Sequence, residues 1–588
     1  MKGIEIKDKF YFDGEPFKLI SGAIHYFRIV PQYWADRLEK LRAMGCNTVE
    51  TYIPWNMHEP KKGEFNFEGM LDIKAFIELA KEIGLYVVLR PSPYICAEWE
   101  LGGLPAWLLK EDGMRFRCTY EPYQRAVKEY YDVLMPYLKP FMYDNGGPVI
   151  MMQVENEYGY YGDDTEYMEW MRDLIRSYDI KVPLFTSDGP FPDAFPLGKV
   201  EGLLQTGNFG SRAQERFEFM KQYVDGPLAC MEFWLGWFDN WGCGEHHTTS
   251  AEENTKDFAY MLDHGNVNIY MFIGGTNFGF MNGSNYYDVL TPDVTSYDYD
   301  AVLTEDGQIT EKYTAFQKEI EKRFGLPDVT LHSNITRKAY GSFEQTGYVS
   351  LWDSIDVIGE KHHSKYPVSM EKLDQGYGYI LYHTSLSKIQ GIGEIRLFEA
   401  NDRAKIYVDK KELTTLYDRE LLEPHKVDPI LYTPEDDTTM DILVENMGRV
   451  NFGPFMAKQR KGIDGPVTIN THQHFDYDIY TLPLDNIEKL KFKDEVSDKS
   501  EPGFYKFTVD VDEPADTFIN MEGWGKGCVF LNGFNLGRFW EIGPQMALYI
   551  PGPLLKKGSN EIVIFETEGK SRNHIILEDK PNLGPVKK

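Results

Sequence analysis

The chain has 588 residues, of which 42% are hydrophobic and 14% aromatic, a globular composition that excludes disordered and fibrous proteins. Its 92 acidic residues outnumber its 62 basic residues, and the formal charge of −30 disfavours a nucleic-acid partner because phosphate binding needs a basic surface. At roughly 150 residues per domain, the length predicts about four domains, or one barrel with smaller modules.

The N-terminal segment Met1–Lys9 has neither an apolar core nor a cleavage site, so we expect no secretory signal. No apolar run approaches the length of a membrane span. The 6 cysteines are sparse and form no CxxC pair, so neither a zinc site nor a disulfide framework is expected. These features favour a cytoplasmic protein, although a mature secreted form would have the same pattern.

The first half of the chain alternates predicted strands and helices. Runs rich in Val, Ile and Leu predict eight strands, at 19–25, 48–53, 85–90, 148–154, 183–186, 202–206, 227–231 and 267–273. Helical spacing predicts helices at 34–44, 73–83, 123–134, 165–178 and 311–324, a short one around Phe217, and one after Ser250. Gly45 and Gly84 follow the first two helices, as is typical of parallel α/β folds.

Eight strand–helix units in about 330 residues predict an α/β architecture, a TIM (β/α)8 barrel with insertions. A doubly wound open sheet is the alternative, and it is disfavoured because no glycine-rich phosphate turn follows the first strand. From about residue 329 onward, short alternating runs separated by turn residues predict all-β modules of the sandwich or jelly-roll type.

Carboxylates follow two of the predicted strands, at the ends where a TIM barrel carries its active site. Glu155 and Glu157 follow the fourth strand, and Glu232 follows the seventh. Glycoside cleavage needs one protonated carboxyl to assist the departing oxygen and one ionised carboxylate to attack the anomeric carbon. Mutual proximity and burial drive the two pKa values apart. The pattern therefore favours glycoside chemistry over the structural role that a single strand-end Glu usually has.

Glu155 and Glu157 are two residues apart, so both could point to the same side of an extended strand. Spacing alone does not choose between them. Asn156 could hydrogen-bond a sugar 2-hydroxyl, a contact that strengthens in the transition state.

Histidines are not expected to carry the chemistry. His25, at the end of the first strand, is interpreted as a hydrogen-bonded structural residue. The remaining paired histidines lack a matching third ligand, so no metal site is expected among His246, His247, His362, His363, His472 and His474.

Eight motifs, distributed over both halves of the chain, carry a resemblance to a known family. They are YIPWNMHEP (52–60), RPSPYICAEWELGGLPAW (90–107), QVENEYG (153–159), MEFWLGWFDNWG (231–242), YMFIGGTNF (270–278), SYDYDA (296–301), LVENMGRVNFG (443–453) and GWGKGCVFLNGFNLGRFW (523–540). Together they resemble glycoside hydrolase family 35, the family of acid and lysosomal-type β-galactosidases. In lacking a predicted secretory signal and in its short β region, the chain resembles the compact bacterial members of the family.

The resemblance implies a TIM barrel followed by β-sandwich modules, and hydrolysis of terminal β-linked galactose with retention. It implies that Glu157 is the acid/base, Glu232 the nucleophile and Glu155 a supporting residue. The positions that match the family's galactose contacts are Tyr52, Ile95, Cys96, Ala97, Glu98, Asn156, Tyr270 and Tyr299.

Three tryptophans lie in a loop rich in Gly and Asp after the seventh strand, namely Trp234, Trp237 and Trp241. Their setting favours a ligand-facing role for at least one of them, and Trp234 is included among the substrate-binding residues. Trp234 stands where the animal lysosomal relatives have Tyr, so we expect a different aromatic wall beyond the galactose.

The predicted domains are a catalytic barrel at 1–328, a galactose-binding-like jelly-roll module formed by 329–385 with 490–588, and a second all-β module at 386–489. The predicted function is that of an exo-acting retaining β-galactosidase on terminal non-reducing β-D-galactose of oligosaccharides, with β-1,3 linkages slightly favoured. The alternatives are another retaining β-glycosidase or endo-glucanase with an open groove, and a catalytically silent carbohydrate-binding protein.

The expected partner is a galactose-terminated oligosaccharide substrate. We expect no organic cofactor, no metal, no nucleic acid and no membrane, and a homodimer is left open. Linkage and aglycone preference are not readable from the sequence.

Overall fold

The computed structural model describes residues 3–332, 335–386, 391–431, 437–493 and 501–586. Met1 and Lys2, which open the segment without a predicted secretory signal, lie outside the described residues. Short stretches of the predicted ranges 329–385, 386–489 and 490–588 also lie outside them.

Eight parallel strands close into a barrel and follow one another around it in chain order. The barrel strands are Ile20–Ile24, Thr48–Tyr52, Tyr86–Arg90, Val149–Gln153, Leu184–Asp188, Leu204–Asn208, Ala229–Trp234 and Asn266–Ile273. Each predicted strand overlaps one of them, so the predicted barrel is confirmed and the doubly wound open sheet is wrong. The strands read as continuous apolar runs because helices cover them outside and packed side chains fill the interior.

The α-helices of the described residues are Trp34–Met44, Trp55–His58, Ile73–Ile83, Glu121–Leu138, Thr165–Ser177, Ala213–Met220, Ala251–His264, Glu311–Phe324 and Leu351–Ile358. Gly45 and Gly84 end the first and third of these with φ of 106° and 87°, a left-handed conformation that glycine adopts without a steric penalty. Ser250 accepts a hydrogen bond from the Glu253 N–H at the start of its predicted helix. Among the described residues, none of the helices combines the length and the apolar character needed to cross a lipid bilayer.

A small antiparallel sheet closes the N-terminal end of the barrel. Its strands are Ile4–Ile6, Phe10–Phe12 and Glu15–Phe17. Ile4 and Phe10 pack in one apolar cluster with Val88 and Ile150 of the barrel strands. Because this end is closed, the opposite, C-terminal end of the barrel is left for a site.

Two sheets form a β-sandwich in the middle of the sequence, with a core that includes Ile380, Ile395 and Ile406. The six-stranded sheet contains, in spatial order, Glu360–Ser364, Tyr477–Leu482, Tyr379–Ser385, Thr439–Glu445, Arg403–Val408 and Lys411–Tyr417. The four-stranded sheet contains His425–Leu431, Gly391–Leu397, Val467–Ile469 and His472–His474. Short two-stranded pairs are Ala400–Asn401 with Gly462–Ile463, and Ser284–Tyr286 with Leu290–Pro292 on the barrel side.

A further sheet of eight strands forms the C-terminal module, around a core that includes Tyr505, Phe507 and Trp524. Its strands are, in spatial order, Phe534–Trp540, Lys526–Leu531, Gly558–Glu566, Gly503–Val511, Gly341–Ser350, His574–Glu578, Thr517–Asn520 and Ala547–Ile550. The predicted all-β character of the second half is therefore confirmed.

Strand pairing places one module boundary elsewhere than predicted. Glu360–Ser364 and Tyr379–Ser385 both hydrogen-bond to Tyr477–Leu482, a strand of the middle sandwich. The predicted range 329–385 groups them with the C-terminal module, and this grouping is wrong for both strands. The strand Gly341–Ser350 of that range does belong to the C-terminal sheet, where it pairs with Gly503–Val511 and with His574–Glu578.

A buried arginine of the middle sandwich joins it to the barrel. The Arg449 guanidinium forms ion pairs with Glu100, in the loop after the third barrel strand, and with Glu371 of its own module. All three side chains are almost fully buried. Loss of one partner of a buried pair leaves an uncompensated charge in a low-dielectric interior.

Replacement of Arg449 by Ala is therefore expected to lower the free energy of unfolding by about 3–5 kcal/mol, as measured by chemical denaturation. The matched control is Arg125→Ala, which removes an exposed pair with Glu121 whose side chains are 55% and 72% exposed. Exposed pairs contribute about 0–1 kcal/mol, so the control is expected to unfold almost like the parent protein. Equal effects of the two substitutions would contradict the assigned role of Arg449.

Candidate active site

Carboxylate side chains at the ends of two barrel strands belong to one site. Glu232 lies in the seventh barrel strand, and Glu157 follows the fourth. Asn208, the last residue of the sixth strand, is the register partner of Glu232 and donates a 3.1 Å hydrogen bond from Nδ2 to Glu157 Oε1. Asn208 thus connects Glu157 to the strand that carries Glu232, at the C-terminal mouth of the barrel where TIM barrels carry their active sites.

Three donors hold the Glu232 carboxylate. Its Oε1 lies 2.5 Å from the Tyr52 hydroxyl and 2.6 Å from a guanidinium nitrogen of Arg90. Its Oε2 accepts a 2.9 Å hydrogen bond from the Trp234 indole N–H. Glu232 is only 5% exposed, so these groups take the place of water. They supply the partners that an ionised carboxylate requires when it is buried.

Glu157 has a different environment from Glu232. Burial and the nearby Glu232 charge raise the pKa of Glu157 to about 8, and the hydrogen bond from Asn208 opposes this shift only in part. Two carboxylates that share a site of low dielectric constant resist simultaneous ionisation. Burial and the nearby charge therefore favour the protonated form of Glu157.

The adjacent Glu155 is engaged elsewhere. The Arg117 guanidinium donates to both of its carboxylate oxygens, at 2.9 and 2.8 Å, and the Tyr167 hydroxyl donates at 3.1 Å. The expectation that Glu155 and Glu157 share one side of an extended strand is wrong. The strand ends at Gln153, and left-handed φ values of 56° and 47° at the two glutamates turn their side chains apart.

Replacement of Glu155 by Gln is expected to lower the free energy of unfolding by about 3 kcal/mol, because it leaves the buried Arg117 charge without its counterion. The chemical step is expected to persist at temperatures where the variant is folded. Thermal denaturation and turnover are measured on the same sample. Loss of turnover in a stably folded variant would assign the chemistry to Glu155 instead.

The amide of Asn156 has a fixed orientation. Its Oδ1 accepts hydrogen bonds from Arg90 at 2.8 Å and from Gln153 at 2.9 Å, and the Tyr52 hydroxyl lies 2.9 Å away. Because these donors surround the oxygen, the amide nitrogen lies on the other side of the group. It is thereby available as a donor to a ligand.

The loop after the third barrel strand carries four of the predicted galactose contacts. Cys96, Ala97 and Glu98 follow Ile95 with φ of 57°, 56° and 47°, three consecutive left-handed residues without a glycine. Each such residue costs on the order of 1–3 kcal/mol and persists only where the surroundings impose it. A 2.8 Å hydrogen bond from the Ile95 N–H to the Gly102 carbonyl closes this turn. Strain of this kind is concentrated at binding sites.

A cluster of tyrosines surrounds Glu98. The Tyr297 hydroxyl donates to Glu98 Oε2, and the Arg28 guanidinium lies 3.9 Å from the centre of the Tyr297 ring. The hydroxyls of Tyr270 and Tyr297 are 3.3 Å apart, and the ring of Tyr299 packs edge-on against that of Tyr270 at 5.6 Å. Burial raises the pKa of Glu98 to about 7. The structure thus brings Glu98, Tyr270 and Tyr299 together on one wall.

Two residues of the site were not singled out from the sequence. Arg90 bridges Asn156 and Glu232, and Asn208 donates to Glu157. Both are the last residue of a buried barrel strand. The sequence signal for both residues is a polar residue at the end of a buried strand, since strand ends form the mouth of the barrel.

His25 is hydrogen-bonded, as predicted, and its structural role stays a prediction. Its Nδ1 lies 2.6 Å from an Arg28 nitrogen, and burial together with this charge lowers its pKa well below the usual value.

The tryptophan loop has a mixed character, because Trp241 is buried whereas Trp237 is 40% exposed. The rings of Trp237 and Trp234 are 6.0 Å apart, so an aromatic surface continues outward from Glu232.

Comparison with known proteins agrees with this geometry. Residues 9–323, which include the whole barrel, match the model described as "Glycosyl hydrolases family 35". The chain belongs to this family. It is a glycoside hydrolase with the architecture of family 35.

Relatives match over almost the full length. The chain is 40% identical to human "Beta-galactosidase-1-like protein 2", with 99% of this chain and 92% of that protein covered. It is 40% identical to the "Beta-galactosidase" of Xanthomonas manihotis (92% and 90% covered) and 38% identical to that of Homo sapiens (96% and 86% covered). Residues 367–483 match "Beta-galactosidase, first all-beta domain", and 502–560 match "Beta-galactosidase, galactose-binding domain".

Proposed function

We propose that the family 35 enzyme described here is an exo-acting, retaining β-galactosidase that removes terminal non-reducing β-D-galactose from oligosaccharides. The observation that carries the proposal is the contrast between two carboxyl groups at one barrel mouth. Burial and a neighbouring charge raise the pKa of Glu157 and favour its protonated form, whereas Glu232 is surrounded by donors. A retaining glycosidase uses one carboxyl group as general acid and a second as nucleophile.

The reaction proceeds in two displacements. Glu157 donates its proton to the glycosidic oxygen while a Glu232 oxygen attacks the anomeric carbon, so the aglycone leaves as an alcohol and a galactosyl ester forms. Glu157, now ionised, takes a proton from water as the water oxygen attacks the anomeric carbon. The ester bond breaks, and β-galactose and the Glu232 carboxylate are released.

The galactose subsite is proposed to consist of the predicted contacts Tyr52, Ile95, Cys96, Ala97, Glu98, Asn156, Tyr270 and Tyr299. The free amide nitrogen of Asn156 is suited to donate to the 2-hydroxyl, a contact that strengthens as positive charge develops at the anomeric carbon. The strained turn Cys96–Glu98 and the tyrosine wall would fix the remaining hydroxyls.

Trp234 is proposed to affect the binding of the aglycone, in addition to its hydrogen bond to Glu232. Its indole N–H is committed to Glu232 Oε2, so its ring is fixed at the outer edge of the site and continues into the exposed Trp237. Flat aromatic faces pack against the C–H face of a sugar. We propose that this surface favours β-1,3-linked galactose over other linkages.

The test is turnover on galactose-terminated disaccharides that differ only in a β-1,3, β-1,4 or β-1,6 linkage, with proton NMR of the first product formed. The expected results are galactose release, β-galactose as the first anomer and the highest kcat/KM for β-1,3. Aryl β-glucosides and β-glucans serve as controls, since preference for them would support an endo-glucanase or another β-glycosidase. Binding of galactosides without turnover would support a silent carbohydrate-binding protein.

Several finer features stay predictions. They are the barrel as the catalytic domain, sugar binding by the galactose-binding-like module, a cytoplasmic location, a homodimer, and a particular likeness to compact bacterial or to acid and lysosomal-type members. Size-exclusion chromatography with light scattering would test the homodimer.

A further inference from the structure

The loop beyond the seventh barrel strand brings together three side chains that are four residues apart in sequence. The carboxylate of Asp239, the thiol of Cys243 and the imidazole of His247 each place one ligand atom within 4.8 Å of the other two. The loop is not helical at these positions, so the spacing alone does not predict the cluster. The fold thus places Asp239 and Cys243 beside His247 as further potential metal ligands, which the sequence did not predict.

We infer that Asp239, Cys243 and His247 form a binding site for a single transition-metal ion of the Zn²⁺ class. Carboxylate oxygen, thiolate sulfur and imidazole nitrogen are the three donor types that Zn²⁺ uses in proteins. Zinc bonds of about 2.0–2.3 Å place neighbouring ligand atoms about 3–4 Å apart, which small rotations of these side chains achieve. Three protein ligands leave the fourth tetrahedral position for water.

Asp239 is held in place for this role. It is 6% exposed. Its Oδ1 accepts the His247 backbone N–H at 2.9 Å, and its Oδ2 lies 2.6 Å from His246 Nδ1. Hydrogen bonds from a second layer of residues commonly orient ligating carboxylates. The Asp239 carboxylate is therefore already oriented by contacts that do not require the metal.

Cys243 and His247 give the site access to solvent. Cys243 is exposed, and the His247 side chain is 40% exposed. The Cys243 thiol lies 3.2 Å from the Glu245 carbonyl oxygen, and His247 Nδ1 lies 2.7 Å from Asp239 Oδ1. On binding, Nδ1 turns its lone pair to the metal, the ring proton moves to Nε2, and the thiol releases its proton to solvent.

The site lies close to the proposed active site in sequence and in space. Asp239 follows Trp237, whose ring is 6.0 Å from that of Trp234, and Trp234 donates to Glu232. A bound ion would cross-link this loop and stabilise the folded protein, since a ligand that binds only the native state raises its unfolding temperature.

The test uses the full-length protein, stripped of metal and titrated with Co²⁺ and then Zn²⁺. We expect one Co²⁺ per chain, with a thiolate-to-cobalt charge-transfer band in the near ultraviolet and visible bands of a tetrahedral ion. Zn²⁺ is expected to abolish these bands by displacement and to raise the unfolding temperature. These readouts do not depend on galactosidase activity, so failure of the proposed function leaves the test intact.

The decisive variant is Cys243→Ser, and its matched control is Cys118→Ser, which removes a partly exposed thiol just before the helix Glu121–Leu138. Cys243→Ser is expected to lose the charge-transfer band and to weaken binding on the order of 100-fold, whereas the control retains both. His247→Ala provides a second variant at a half-exposed position should the first fail to fold. Absence of the band in the parent protein, or its persistence in Cys243→Ser, would overturn the proposal.

Discussion

Replacement of Glu232 by Gln is expected to abolish the hydrolysis of β-galactosides, with a loss in kcat exceeding about 10⁴-fold, as found when a covalent nucleophile is removed. An amide is a poor nucleophile and forms no galactosyl ester. The pocket around it is built for an anion, with Tyr52 and Arg90 on one oxygen and Trp234 on the other. The measurement is turnover of an aryl β-galactoside with an activated leaving group.

A chemical rescue separates loss of the nucleophile from loss of the fold. Glu232→Gly leaves space on the face of the sugar that the carboxylate occupied. Azide entering there is expected to restore cleavage of an activated aryl galactoside and to give α-galactosyl azide. The matched control is Glu566→Gln, which alters a fully buried carboxylate of the C-terminal sheet and should leave turnover intact. A product of β configuration, or no rescue in a folded variant, would contradict the assignment of Glu232.

Arg90 holds the Glu232 carboxylate in one orientation. Its guanidinium contacts Glu232 at 2.6 Å and Asn156 at 2.8 Å, lies over the Tyr52 ring at 4.0 Å, and faces Glu50 at 3.5 Å from the barrel interior. Burial raises the pKa of Glu50 to about 7 despite this arginine. One cation thus orients the Glu232 carboxylate and the Asn156 amide while remaining anchored to the core.

The barrel was predictable because its information is local. Each strand is a short apolar run, and the helices carry the 3.6-residue period on one face. Gly45 and Gly84 end their helices in the left-handed region, as their positions predict. Since parallel strands put their carboxyl ends at one mouth, the convergence of Glu157 and Glu232 followed from the same pattern.

The distinction between Glu155 and Glu157 was not local. It depends on Arg117, which lies 38 positions away and donates to both oxygens of Glu155. It depends also on two left-handed residues that end the extended strand, a conformation without a signature in the side chains of glutamates. Only the family resemblance separated the two residues before the fold was known.

The boundary within the β region failed for a related reason. Alternation of apolar and polar residues identifies a strand and its buried face but not its partner. Glu360–Ser364 and Tyr379–Ser385 precede the predicted middle module (386–489) in sequence and still pair with Tyr477–Leu482, about a hundred residues later in the chain. Long-range antiparallel pairing of this kind is decided by the packed core.

Replacement of Glu157 by Gln is expected to separate the two displacements kinetically. Galactosides with poor leaving groups, such as disaccharides, need the proton of Glu157, so their kcat/KM should fall by about 10²–10⁴-fold. The aglycone of an activated aryl galactoside departs without protonation, so the kcat/KM for this substrate should change little. Its kcat should nevertheless fall, because Glu157 also serves as the base for water, and a burst of aglycone should precede slow turnover. Equal losses for both substrates, or this behaviour in Glu155→Gln, would contradict the assignment.

The pH dependence gives Glu157 a second, independent signature. With its pKa raised to about 8, the parent enzyme should lose kcat/KM for disaccharides as pH rises through 8, because the general acid is deprotonated. Glu157→Gln should lack this limb. Linkage adds a stability effect of matching sign, since a raised carboxyl pKa stabilises the fold at low pH and this contribution is lost as pH rises through 8. At pH 9 the variant should therefore unfold at a higher temperature than the parent. The substitution would then stabilise the fold while it removes the general acid. Thermal denaturation of both proteins at pH 5 and pH 9 is the measurement.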